Sequence, residues 1–251
     1  MPWPAVLAAL LLAMPGKGWA GEPNRSPSAD RNTVVYLFAG RLVANQTGAN
    51  RLHRDRIQVY HQNAVAVPIH ADFPHPPQYG GAVLHRVSER WWLGLAGSYT
   101  RSGIRSVLTD TGGRIEMEAI LDMLMVAMVT EVDYDAAGFL EPFAQVQAGM
   151  VWSRADFSET IAFSDPADRP QGGRIDMRVR APGFFLRTGL GFKFHLAGGF
   201  VIKPHLAYQA ASGLARRVKT TSGTAVVAGP DNKLEVDFSG LLLAVSAGIH
   251  W

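Results

Sequence analysis

Five ionisable residues in the second half of the chain fall on a two-residue period. Arg187 and Lys193 share parity within 184–196, Lys203 and His205 share it within 200–210, and Glu141 holds the corresponding place in 140–152. Alternate residues of a strand project to one side. Each of these groups therefore shares a face with Gly, Gln and other small or polar residues, while the opposite parity is apolar. Asp122 is expected to join them. Charges gathered away from water must pair to offset desolvation. The chemistry expected is a salt-bridged interior, with a proton or ion path as the sharper alternative.

Other candidates are weaker. His53, His61, His70 and His75 lie in one stretch with Asp72. Neutral imidazoles ligate metals, but these spacings match no zinc pattern, and Pro68, Pro74, Pro76 and Pro77 stiffen the stretch irregularly. Solvated loop histidines are expected, with no metal and no cofactor. Two basic stretches, Arg174 with Arg178 and Arg180, and Arg216-Arg217-Val218-Lys219, could pair with phosphates or form a solvated face. A hydrolase would need nucleophile and base within hydrogen-bond reach. His205 and Ser212 are seven residues apart, too far at roughly 3.3 Å per strand residue. There is no Cys, so thiolate metal sites, disulfide scaffolds and cysteine nucleophiles are excluded. A net charge of +3, scattered along the chain, gives no nucleic-acid surface.

The elements that must position these residues are strands. At 47% hydrophobic and 18% charged residues, the chain is too apolar for disorder. Residues 5–14 read AVLAALLLAM, followed by Pro15-Gly16 and Gly18-Trp19-Ala20, which fits a secretory signal over 1–20. No later run offers about 20 clean apolar residues for a membrane helix. Instead the alternation places eight strands, at roughly 32–43, 80–88, 91–101, 115–132, 139–154, 182–196, 200–212 and 233–251. The fourth is rich in helix-forming Met, Ala, Leu and Glu. Met117, Ala119, Leu121, Met123 and Met125 alternate there against Glu116, Glu118 and Asp122, so a strand is expected over a helix. Joins after strands 2, 4 and 6 are short, and those after 1, 3, 5 and 7 are expected to be longer. That rhythm describes an up-and-down antiparallel sheet, and an even strand count lets it close.

Two eight-stranded barrels compete. A soluble barrel turns its apolar face inward; a membrane barrel turns it to lipid. The apolar faces here carry Trp91, Tyr99, Trp152, Phe194, Tyr208 and Trp251, several near strand ends, as in interfacial girdles. The sequence thus resembles the small eight-stranded outer-membrane β-barrels of Gram-negative bacteria, OmpA/OmpX-like in architecture. The final strand carries the resemblance most clearly, with Leu243, Val245, Ala247, Ile249 and a terminal Trp251, although Ser246 stands where such barrels often have Gly.

The resemblance implies a signal peptide over 1–20, a short periplasmic segment over 21–31 and an all-β, transmembrane barrel over 32–251. Both mature termini would be periplasmic and the long loops extracellular. It implies that the terminal pattern is read by the barrel assembly machinery, that the surroundings are lipid and lipopolysaccharide, and that the chain is a monomer. Some such barrels cut acyl chains from lipid A with a His and a Ser two residues apart. The stretch 207–213 has Ser212 but no adjacent His, so no enzymatic activity is expected. The role expected is structural, adhesive or surface-binding. The alternatives are a narrow channel for small or apolar solutes and, further off, a soluble lipocalin-like or avidin-like binder. Leu190 is expected to face lipid. Gln147 is expected to face the lumen, where an introduced charge could find Glu141 or water.

Overall fold

The structure, a computed structural model, describes residues 32–45, 50, 53–55, 57–58, 62, 73–134, 140–165, 172–215, 217–220, 223–226 and 234–251. The signal at 1–20 and the segment 21–31 lie outside the described residues. Eight antiparallel staves form the wall. They are β1 (Thr33–Asn45), β2 (Pro77–Arg86), β3 (Trp91–Thr109), β4 (Gly113–Asp133), β5 (Leu140–Phe163), β6 (Gly173–His195), β7 (Phe200–Ala215) and a last stave described below. Each pairs with its neighbour in sequence, and the last stave pairs with both β7 and β1, closing the ring.

The last stave is built from two segments, β10 (Leu234–Asp237) and β11 (Ser239–His250), which share one register against β7. Phe238 N–H bridges them by donating to the Ala211 carbonyl at 2.8 Å. Two short strands, β8 (Arg217–Thr220) and β9 (Gly223–Val226), extend the final hairpin, and β8 pairs with β6. The seam between the chain ends is tied by Trp251 N–H donating to the Thr33 carbonyl at 2.7 Å. Within the ring each stave is paired on both sides.

At one end the connections are brief: 87–90 after β2, 134–139 after β4 and 196–199 after β6. The last runs through Gly198 and Gly199, at φ of 78° and 85°, backbone that a Cβ would strain. At the other end the hairpins β3–β4 and β5–β6 rise beyond the expected strand limits. The long join expected after strand 3 is instead a tight turn at 110–112. Asp110 causes it: its Oδ1 accepts from Gly112 N–H at 2.8 Å and from Gly113 N–H at 3.0 Å, the turn-forming habit of aspartate. The fourth segment is strand throughout, since pairing along both edges overrides its helical composition.

The outer face settles which way the barrel is turned. Large apolar side chains cover it, with Phe184, Leu190 and Leu243 at 77%, 65% and 65% exposure and Trp91, Leu95, Met128, Trp152, Tyr208 and Val245 also exposed. Water would penalise such a belt at about 25 cal/mol per Å²; lipid would not. The fold is an eight-stranded transmembrane β-barrel.

Candidate functional site

The lumen is stacked in three tiers. Nearest the short turns lies an ionic tier. Glu131 and Asp133 point inward from the end of β4, Lys193 from β6 and Lys203 from β7, all buried. Lys193 Nζ sits 2.5 Å from Asp133 Oδ1 and 2.9 Å from Glu131 Oε1. Lys203 Nζ donates to Glu131 Oε2. Two cations and two anions thus cancel. Aromatic rings wall them in: Lys203 Nζ is 4.1 Å from the Phe143 ring centroid and 4.8 Å from that of Tyr36. Lys193 Nζ lies 5.1 Å from that of Trp92, whose Nε1–H donates to Asp133 Oδ2 at 2.6 Å. Ring faces attract ammonium groups, so the ammoniums exchange hydration for fixed partners. At the outlet, His195 Nε2 meets Glu141 Oε2 at 2.6 Å, and its ring stacks on His250 with centroids 5.9 Å apart.

Above lies one buried guanidinium. Arg187 donates from Nη2 to Gln209 Oε1 at 2.5 Å and from Nη1 to Gln147 Oε1 at 3.2 Å. Its partners among the described residues are neutral: the two amide oxygens, and the rings of Phe38 and Phe185 with centroids 5.9 Å and 5.7 Å from its Cζ, together offset its desolvation. His205, also buried, lies edge-on to Phe38 and Phe143, with Nδ1 3.3 Å from the Lys203 carbonyl; that nitrogen therefore carries the proton. The third tier is apolar: Leu42, Leu121, Met123, Val151, Phe157, Phe185 and Phe238, joined by Phe73 from the first connection.

Several expectations need correction. Asp122 is outside, not in the lumen. It accepts from Tyr99 Oη–H at 2.7 Å and lies 3.6 Å from the exposed Arg101. The reason is a face inversion along β4. Ala119, Leu121, Met123 and Met125 fill the apolar tier and Met117 packs with Ile57, which sends Glu116, Glu118 and Asp122 outward. Glu141 lines the outlet with His195 as its hydrogen-bond partner, away from Arg187. Gln147 touches Arg187 rather than a free carboxylate, because the two are register partners across β5 and β6. We therefore expect Gln147→Arg to destabilise the barrel by about 2–4 kcal/mol through an unpaired buried charge. Gln147→Glu, which supplies Arg187 with a carboxylate, should match or exceed the wild type; urea midpoints in lipid vesicles measure both.

Glu131 and Asp133, the counter-ions of both lysines, were missed by sequence reasoning, as were Gln209, His195 and His250. Parity pointed the wrong way for the acids: Glu131 and Asp133 share it with Met125 and Val129, the side expected to be opposite Asp122 and hence to face lipid. Of the histidine stretch, His53 is buried with Nε2 3.3 Å from Ser106 Oγ, and His75 is exposed. His61, His70 and Asp72 lie outside the described residues. So does Arg216, and the side chains of Arg217 and Lys219 are likewise outside them. Among the described residues no group of His, Asp and Glu is placed to hold a metal. Ser212 and His205 sit on opposite faces of β7.

The site is a plugged lumen in a membrane-spanning wall, which defines the class as a small transmembrane β-barrel. The chain is similar in structure to OprG from Pseudomonas aeruginosa (12% identity, 88% of this chain and 96% of that one, TM-score 0.47). It is also similar to Neisserial surface protein A (10%, 87% and 97%, TM-score 0.40). A third similarity is to Ail, the attachment invasion locus protein of Yersinia pestis (10%, 89% and 100%, TM-score 0.38). No protein-family model matches the sequence, and no curated protein matches it.

Proposed function

We propose that this chain is a monomeric integral outer-membrane barrel of a Gram-negative bacterium, with a structural, adhesive or surface-binding role and no catalytic step. In this reading residues 1–20 are an export signal and 21–31 a short periplasmic segment. The short turns and both ends of the barrel face the periplasm, and the tall hairpins face outward into lipopolysaccharide. The observation that carries it is the plug: the Lys193–Glu131–Lys203–Asp133 cluster, the Arg187 tier and the apolar tier fill the bore in succession. An eight-stranded barrel is just wide enough for its own side chains, so interaction falls to the outer surface and hairpins. The separation of His205 and Ser212 across the wall supports a non-catalytic role. The test is a planar-bilayer recording of the refolded barrel. No unitary conductance is expected, and steady ion-conducting steps would overturn the closed-lumen reading.

The apolar upper tier favours one second reading, a narrow path for small apolar solutes. It predicts faster uptake of an apolar dye into vesicles carrying the barrel than into empty ones; equal uptake leaves the closed barrel standing.

The residues Leu243, Val245, Ala247, Ile249 and Trp251 all take the outward parity of the last stave. We assign them as the pattern read by the barrel assembly machinery. Trp251→Ala removes a ring that is 73% exposed, so the folded barrel should keep its stability within about 0.5 kcal/mol. The folded fraction in cells, read as the heat-modifiable band on a gel of unboiled membranes, should fall. A normal band would refute the assignment.

A further inference from the structure

Four outward residues on four adjacent strands form one hydrogen-bonded row. Arg101 on β3 pairs in register with Asp122 on β4, Asp122 with Arg154 on β5, and Arg154 with Arg180 on β6. On each strand the next outward position toward the short turns is the last apolar residue of the belt: Tyr99, Leu124, Trp152 and Pro182. The row therefore marks the edge of the hydrocarbon layer on all four strands. Tyr99 confirms the border by presenting its ring to the belt and its hydroxyl to Asp122 at 2.7 Å.

The row contains a conflict. Arg154 and Arg180 stand directly opposite each other on one face, where like charges destabilise a sheet. Asp156, one step up, serves Arg154 and Arg178, with Arg178 Nε donating to its Oδ1 at 2.7 Å. Burial raises the Asp156 carboxyl, but hydrogen bonds from Arg154 and Arg178 outweigh it and hold the group below its ordinary range. That carboxylate is therefore already committed as an anion. Arg180 is left with no ion-pair partner among the described residues. Arg154 Nε–H is sheltered and lacks an acceptor. Four arginines (101, 154, 178 and 180) against two aspartates (122 and 156) leave a charge of +2 at the headgroup border.

We propose that Arg154 and Arg180 clamp a phosphate of the phosphorylated glycolipid, of the lipid A class, in the leaflet around this end of the barrel. Arg180 can present paired N–H donors to one phosphate, and Arg154, whose Nη2 holds Asp156, can add its remaining amino group and its charge beside it. The phosphate's negative charge removes their repulsion, and the acyl chains below lie along Trp152 and Phe184. This rests on the tall hairpins facing outward, as proposed above.

The experiment uses the mature barrel refolded in detergent, with defined lipids added, so it does not depend on cellular orientation. Retention of diphosphorylated lipid A is compared with that of dephosphorylated lipid A and of phosphatidylglycerol by native mass spectrometry. Wild type should retain the diphosphorylated form at least about tenfold better than either, a preference of about 1.4 kcal/mol. Arg154→Gln with Arg180→Gln should abolish the preference, whereas Arg174→Gln, further up β6, should keep it. In detergent without lipid, the double variant should unfold at the same or a higher temperature than wild type, because the opposed charges are gone. Equal retention of the three lipids by wild type overturns the proposal. So does a double variant that loses stability in lipid-free detergent, which would make the arginines structural. The outer-membrane reading fails separately, if cell fractionation finds the protein outside that membrane.

Discussion

Glu131→Gln should lower the unfolding free energy of the barrel by about 3–5 kcal/mol, the cost of leaving a buried charge uncompensated. Glu131 is wholly buried and contacts both Lys193 and Lys203. Lys193 would keep Asp133. Lys203 would keep no carboxylate among the described residues, only the faces of Tyr36 and Phe143. Glu118→Gln on the outer face of β4 should change stability by no more than about 0.5 kcal/mol. The measurement is the urea midpoint of each variant refolded in lipid vesicles. A double-mutant cycle sharpens it: Lys203→Met placed on Glu131→Gln removes the orphaned ammonium and should recover a large part of the loss. If Glu131→Gln is as mild as Glu118→Gln, the ionic tier is hydrated and the lumen is not plugged there.

How much of this was legible depends on how far each strand runs inside lipid. In 184–196, 140–152, 200–210 and 240–251 the wall separates hydrocarbon from a polar interior, so parity alone sorts the residues, and Leu190, Lys193, Lys203 and Leu243 fall on the expected sides. The rule fails on β4 because its upper half stands clear of lipid. There the outside is wet and the inside dry, so Asp122 faces out and Met123 faces in. The same contrast hid Glu131 and Asp133. They interrupt an apolar stretch, and only the closed ring shows that they stand opposite Lys193 and Lys203. The β3–β4 hairpin was hidden differently. Residues 102–109 show no clean alternation, and the turn that joins them to β4 rests on Asp110 accepting from two backbone N–H groups, a local hydrogen-bond effect with no hydrophobic signature. The opposed Arg154–Arg180 pair is a matter of register between strands, which composition and period do not report.

Leu190→Arg should destabilise the barrel by about 2–4 kcal/mol, the cost of a lipid-facing arginine near the midplane. Leu190 lies within the lipid-facing part of β6, between Pro182 and the short turn at 196–199, flanked in register by the outward Ala144 and Leu206, and is 65% exposed. Its side chain has no packed cavity to fill. Leu190→Trp should therefore cost little, since fluid acyl chains accommodate the larger ring. If this face were instead the packed interior of a water-soluble barrel, the same indole would overpack it and cost about 1–3 kcal/mol. The arginine variant alone cannot separate these cases, because a packed interior also rejects charge; the tryptophan variant can. Urea midpoints of both variants refolded in vesicles give the answer. A Leu190→Trp loss as large as that of Leu190→Arg would place this face against protein. A small tryptophan loss beside a large arginine loss places it against lipid, as the exposed apolar belt requires.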